Sequence, residues 1–122
     1  MSCAAGLATL SVTLEEDLQS RALRVGKRLL EGLRELAGRY EIVGDARGSG
    51  MFLGAELVRD RETLEPATEE ASFIANRFRE HGILLGTDGP FHNVIKIRPP
   101  MPFSETDADL LITVMDELLA EL

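Results

Sequence analysis

Between Leu18 and Leu36 the apolar residues Leu18, Ala22, Val25, Leu29, Leu33 and Leu36 recur at spacings of three and four, which sets them along one side of an α-helix. Arg21, Arg24, Arg28, Glu31 and Glu35 fall mainly on the other side. A helix with one continuous apolar side must lay it against a second layer, and the rest of the chain has to supply that layer. Thr13-Leu14-Glu15-Glu16 has the form of a capping box and Gly38 that of a C-terminal stop, so the spacing predicts a helix over roughly Leu14 to Ala37. The segment before it, Ser2 to Val12, is small, apolar and without a charged side chain. It reads as a helix packed closely on most sides.

The covering layer reads as a sheet. Glu41–Ala46 and Met51–Arg59 are predicted strands on either side of Arg47-Gly48-Ser49-Gly50, which suits a hairpin or a bulged meander. A polar loop, Asp60 to Glu65, leads through Pro66 into a second amphipathic helix with Ala71, Ile74, Ala75 and Phe78 inside and Gly82 just past its end. Ile83-Leu84-Leu85, a turn built on Thr87-Asp88-Gly89-Pro90 and the alternating strand Val94 to Arg98 follow, and Pro99-Pro100 closes that strand. Ser104-Glu105-Thr106-Asp107 caps a last helix whose stripe is Leu111, Val114, Met115, Leu118 and Leu122. This order predicts one α+β domain over residues 1–122, with an antiparallel sheet of about three to four strands, including Met51–Val58 and Val94–Arg98, covered by helices on one face.

Charge and cysteine content narrow the function classes. The 122 residues carry 13 Lys+Arg against 21 Asp+Glu, a net charge of −8 with a pI near 4.7, which excludes the clustered positive surface that nucleic-acid binding needs. Cys3 is the single cysteine, so there is neither an internal disulfide nor a multi-thiolate metal site, and a reducing, cytoplasmic setting is expected. The uncharged start lacks a basic leader region and is too short to cross a bilayer, so no membrane role is expected. Only Lys27 and Lys96 could support Schiff-base chemistry.

Most of the remaining motifs read as structural. Gly48-Ser49-Gly50 with Gly54 runs into a strand, whereas a phosphate cradle opens into a helix. His81 sits at a helix end and His92 in a turn, neither with a second ligand at metal spacing. Lys96 differs: it occupies the middle of an alternating strand with Arg98 on the same side. The two cations either line the solvent side of an edge strand or clamp a carboxylate or phosphate.

Four segments carry a family likeness: Ser2-Cys3-Ala4-Ala5-Gly6-Leu7-Ala8, Arg47-Gly48-Ser49-Gly50-Met51-Phe52-Leu53-Gly54-Ala55-Glu56-Leu57, Gly82 to Pro90, and Asn93 to Met101. Together, and in this order, they resemble the C-terminal part of class III pyridoxal-phosphate aminotransferases. The run Thr87-Asp88-Gly89-Pro90 with Asn93 to Pro100 is most similar to the branch holding alanine–glyoxylate aminotransferase 2 and the ethanolamine-phosphate phospho-lyases. The resemblance implies the small domain of a fold-type I enzyme, with residues 1–13 as an interdomain helix and 14–122 as the small domain itself. The cofactor lysine, the aspartate on the pyridine nitrogen and the phosphate site belong to a large domain upstream. Neither Lys27 nor Lys96 matches the Schiff-base position, so no cofactor, and no catalysis, is expected of these residues alone. Amino transfer from an amino acid or amine to a 2-oxo acid is expected of the full-length enzyme. Lys96 stands three residues before the Pro-Pro pair, where the family usually has a substrate-contacting arginine, and the substrate contacts implied are Lys96, Arg98 and Thr87. A lysine there cannot form the bidentate fork of an arginine, which leaves the substrate open. The uncharged first helix implies a partner: a large domain, or a second copy meeting it through Leu7, Leu10 and Val12. The alternative is a stand-alone interaction module that oligomerises or docks to an intact homologue.

Overall fold

In the computed structural model, which describes residues 1–122, the apolar stripe that dominates the sequence is buried at Val25, Leu29, Leu33 and Leu36 and half-buried at Leu18 and Ala22, where it begins. Helix α1 (Ser2–Glu15) is followed by α2 (Leu18–Arg39), strands β1 (Val43–Ser49), β2 (Phe52–Asp60) and β3 (Glu65–Pro66), helix α3 (Thr68–Glu80), strands β4 (Gly86–Asp88) and β5 (Val94–Ile97), and helix α4 (Glu105–Ala120). The sheet is antiparallel throughout, in the order β1-β2-β5-β4, with β3 beside β2. It has five strands, one or two more than expected, because β3 and β4 are too short to show alternation in sequence. The α+β class stands.

The register sorts side chains cleanly between the two faces. Ala46, Ala55, Ile95 and Thr87 form one cross-strand row, and Leu53 with Ile97 the next, facing the helices. Against them lie Ala71, Ile74 and Phe78 of α3 and Ala108, Leu111, Val114, Met115 and Leu118 of α4, all buried. Leu122, expected in the last stripe, lies beyond α4 and is exposed.

Local chemistry explains the element ends. Gly50, with φ +54, takes the first of the two residues joining β1 to β2, where a tight hairpin needs positive φ. Its carbonyl packs so closely on α2 that only a glycine at position 26 leaves room for it. At the end of α3 the Ile83 amide donates to Phe78 O and the Gly82 amide to Arg79 O, with Gly82 at φ +76: a Schellman motif. Ser104 and Asp107 form the reciprocal capping box expected for α4.

Strand β1 runs Val43–Ser49 where Glu41–Ala46 was expected, because Arg47, Gly48 and Ser49 pair with Gly54, Leu53 and Phe52 and only Gly50 and Met51 form the turn. Two helix boundaries also differ from the sequence reading. Thr13-Leu14-Glu15-Glu16 is no capping box: α1 runs through to Glu15, the chain turns at Asp17 (φ 47), and α2 starts at Leu18. Nor does Gly38 stop α2, which continues to Arg39. The free carbonyls there are taken instead by the Arg61 guanidinium, which donates to Ala37, Tyr40, Glu41 and Val43. No helix is long and apolar enough to cross a membrane.

Candidate functional site

Helices α2 and α3 lie on one side of the sheet with α4 packed on both, and the other side is open. On the open face the register makes two adjacent rows of opposite character: Arg47, Gly54, Lys96 and Gly86 in one, and Asp45, Glu56, Val94 and Asp88 in the other. Each cation of the first row reaches into the second. Arg47 donates to Asp45 Oδ2 at 2.7 Å and to Glu56 Oε2 at 2.6 Å. Lys96 Nζ donates to Asp88 Oδ2 at 2.7 Å. That ammonium, together with the Gly89 amide, holds the Asp88 carboxyl below the usual carboxylate range.

Between the two cations Gly54 contributes no side chain, and a hollow of about 380 Å³ opens over it, walled by Arg47, Phe52, Asp88, Val94 and Lys96. A second hollow, of about 500 Å³, lies at the other side of Lys96. Leu84, Gly86, Ile97, Arg98, Pro100 and Phe103 are among the residues that line it. Arg98 lies over the Phe52 ring, its Cζ 5.9 Å from the centroid, a distance at which the ring face attracts the cation. It forms no ion pair.

Lys96 and Arg98 thus share the open face, as their alternation predicts. Thr87 does not join them: it stands in register with Ile95, in the row that faces the helices, and is half-buried there. Thr87 and Asp88 belong to β4; the turn that follows runs from Gly89. Two side chains of the open face escape sequence reasoning. Arg47 is disguised by the glycines that follow it, yet sits in register with Gly54. Asp88 is hidden by its reading as a turn residue; the signal is its place two positions from the pairing partner of Lys96 across a short hairpin.

The other motifs are structural in their contacts. The Gly48-Ser49-Gly50 segment continues through the turn into β2 and is packed on α2 at Gly26. Lys27 is exposed on α2, 3.8 Å from Glu31. His81 follows the last residue of α3 and His92 lies in the β4–β5 turn, both exposed. No three His, Cys, Asp or Glu side chains are placed to hold a metal ion.

The class-III aminotransferase family model matches residues 1–119. A mitochondrial alanine–glyoxylate aminotransferase 2 homologue of Arabidopsis thaliana is 44% identical over all 122 residues, which correspond to 26% of its own length. Among solved structures, an Arthrobacter phospholyase in complex with phosphoethanolamine superimposes with a TM-score of 0.91 at 36% identity, over 98% of this chain and 28% of that one. A pyridoxal-phosphate-bound amine transaminase from an uncultivated Pseudomonas species gives 0.85 at 36%, over 98% of this chain and 27% of that one. The chain therefore spans about a quarter of the length of the proteins it matches.

Proposed function

The chain belongs to the class III aminotransferases, and we propose that it acts as their C-terminal small domain, closing over the active site and presenting Lys96 and Arg98 to the substrate while a large domain holds the cofactor. The observation that carries this reading is the open face of the sheet. There the residue three before Pro99-Pro100, the position that the family resemblance marks as a substrate contact, projects beside a hollow and not into the core. Thr87 enters the proposal as a support behind β4, since it stands on the helix side of the strand.

Pyridoxal phosphate supplies the electron sink for amino transfer when bound. For these residues on their own we propose no site for it, and three contacts support that reading. The glycine turn is packed on α2, Lys96 is taken by Asp88, and Lys27 lies on an exposed helix face. We therefore propose amino transfer between an amino acid or amine and a 2-oxo acid for the full-length enzyme, and none for these 122 residues alone. The single exposed Cys3 is in keeping with a reducing, cytoplasmic setting.

Two measurements test the proposal. Purified chain mixed with pyridoxal phosphate and desalted should retain no stoichiometric chromophore and transfer no amino group. A chromophore abolished by Lys96→Met would overturn the assignment. Grafted in place of the matching segment of the Arabidopsis relative, the chain should restore an active enzyme. In that chimera Lys96→Met should raise KM for an anionic substrate at least tenfold, the scale of one lost charged contact.

A second reading, a module that docks or oligomerises without catalysis, is favoured by α1, none of whose residues is buried. The genomic reading frame just upstream of Met1 separates the two readings: a large domain encoded there supports the first.

A further inference from the structure

Lys96 stands on the ridge between the two hollows, and the two sides differ in charge. On the first side its ammonium is held by Asp88. On the second, Lys96 and Arg98 are the only charged lining groups, with no carboxylate among them. The Asp88 carboxylate is fixed independently of the lysine, because its other oxygen, Oδ1, accepts the Gly89 amide at 2.9 Å. Asp88 pairs with Val94 and Lys96 with Gly86, so acid and amine meet on the diagonal of the β4–β5 hairpin. The acid is the anchored partner; the lysine, on a flexible four-carbon stem, is the one that can leave.

We propose that Asp88 is a specificity-determining residue, a built-in carboxylate that occupies Lys96 until an anionic substrate group displaces it, so that the site discriminates against anions that cannot compete. This rests on the reading of Lys96 as a substrate contact. An incoming anion has to win the ammonium from Asp88 and then lie close to the Asp88 charge. The second effect grows with the ligand's own charge, so a phosphate dianion is disfavoured more than an acetate monoanion. Both side chains are about half exposed, 42% for Lys96 and 57% for Asp88, which limits the effect to that of a screened surface pair. Arg47 offers no unopposed alternative, since Asp45 and Glu56 already hold it.

The test uses the chain labelled with ¹³C and ¹⁵N, with inorganic phosphate and acetate as probes and the Lys96 side-chain and Gly89 amide resonances as reporters. At neutral pH and low salt Asp88→Asn should bind phosphate about three- to tenfold more tightly than the unaltered chain, with a smaller gain for acetate. Raising the ionic strength to about 0.5 M should remove most of the difference. Equal affinities in the two chains, or no Lys96 response in Asp88→Asn at tens of millimolar phosphate, overturn the proposal. The double variant Asp88→Asn, Lys96→Met keeps the two levels apart. If it binds phosphate as tightly as Asp88→Asn, the assignment of Lys96 as the anion contact fails. If it is silent while Asp88→Asn matches the unaltered chain, that assignment stands and the role of Asp88 is lost. Asp88→Ser repeats the comparison with a different side chain at the turn, and thermal unfolding confirms that each variant is folded.

Discussion

Gly26 and Gly38 both lie inside α2, and they respond oppositely to the same substitution. A Cβ on Gly26 would overlap the carbonyl of Gly50, a backbone atom that cannot swing aside, so Gly26→Ala should destabilise the fold by about 1–3 kcal/mol or more. At Gly38 nothing stands within 4 Å of a Cβ, and Gly38→Ala should stabilise by about 0.4–1 kcal/mol by restricting the unfolded chain. Urea midpoints at neutral pH decide both. The helix period was visible in sequence, but the role of each glycine was not. Gly38 has the composition of a helix stop, whereas the carbonyls at that end are satisfied from far along the chain by Arg61, a contact that no local pattern announces. Lys96 illustrates the same limit. Its place on the open face follows from alternation, while its partner Asp88 depends on strand register, which only the folded hairpin sets.

Among the elements, α4 was the most legible, because its capping box and its stripe from Leu111 to Leu118 agree at the level of local sequence, with Leu122 alone falling outside it. Ser104→Ala should cost about 1 kcal/mol, since the Asp107 amide would lose its acceptor. The boundary between α1 and α2 was not legible: Glu15, Glu16 and Asp17 are acidic as a helix start would be, and the left-handed turn at Asp17 has no composition of its own. Acid pH acts across several elements at once. Asp60 is held low by the Thr63 and Glu62 amides, Glu70 by Arg59, Asp107 by Ser104, Asp109 by Arg28, and Asp116 by the Tyr40 hydroxyl and Arg39. Each of these carboxyls binds its proton more weakly in the fold than in the unfolded chain, so below about pH 4 the unfolded chain carries more protons. Stability should therefore be full above that value and fall as the pH drops through the lowered folded values. Urea midpoints from pH 7 down to pH 2.5 follow the loss, and Asp107→Asn should flatten it. A midpoint that stays level across that range would contradict these ion pairs and caps.

At the scale of the whole molecule, α1 is the part that the rest of the fold does not account for. Every other helix buries a stripe; α1 buries nothing, with Leu7 67% and Leu10 62% exposed. Its polar residues do not offset this, because the Thr9 and Thr13 hydroxyls donate back to Ala5 O and Thr9 O within the helix. A helix with its leucines exposed and none of its residues buried calls for a neighbour, and the small residues Ala4, Ala5, Gly6 and Ala8 permit a close one. In the proposed enzyme a large domain covers it; in the chain alone the available cover is a second copy. Burying three or four of its Leu, Val and Ala side chains would contribute on the order of 4–6 kcal/mol to association. The chain alone should accordingly sediment as a homo-oligomer with Leu7, Leu10 and Val12 in the interface. Replacing Leu7 and Leu10 by Asp should give a folded monomer with an almost unchanged unfolding midpoint: the new charges would have to be desolvated at the interface, yet touch no part of the core. A chain that is already monomeric at high micromolar concentration, or a double variant that unfolds instead of dissociating, would show that α1 is covered by something other than a copy of itself.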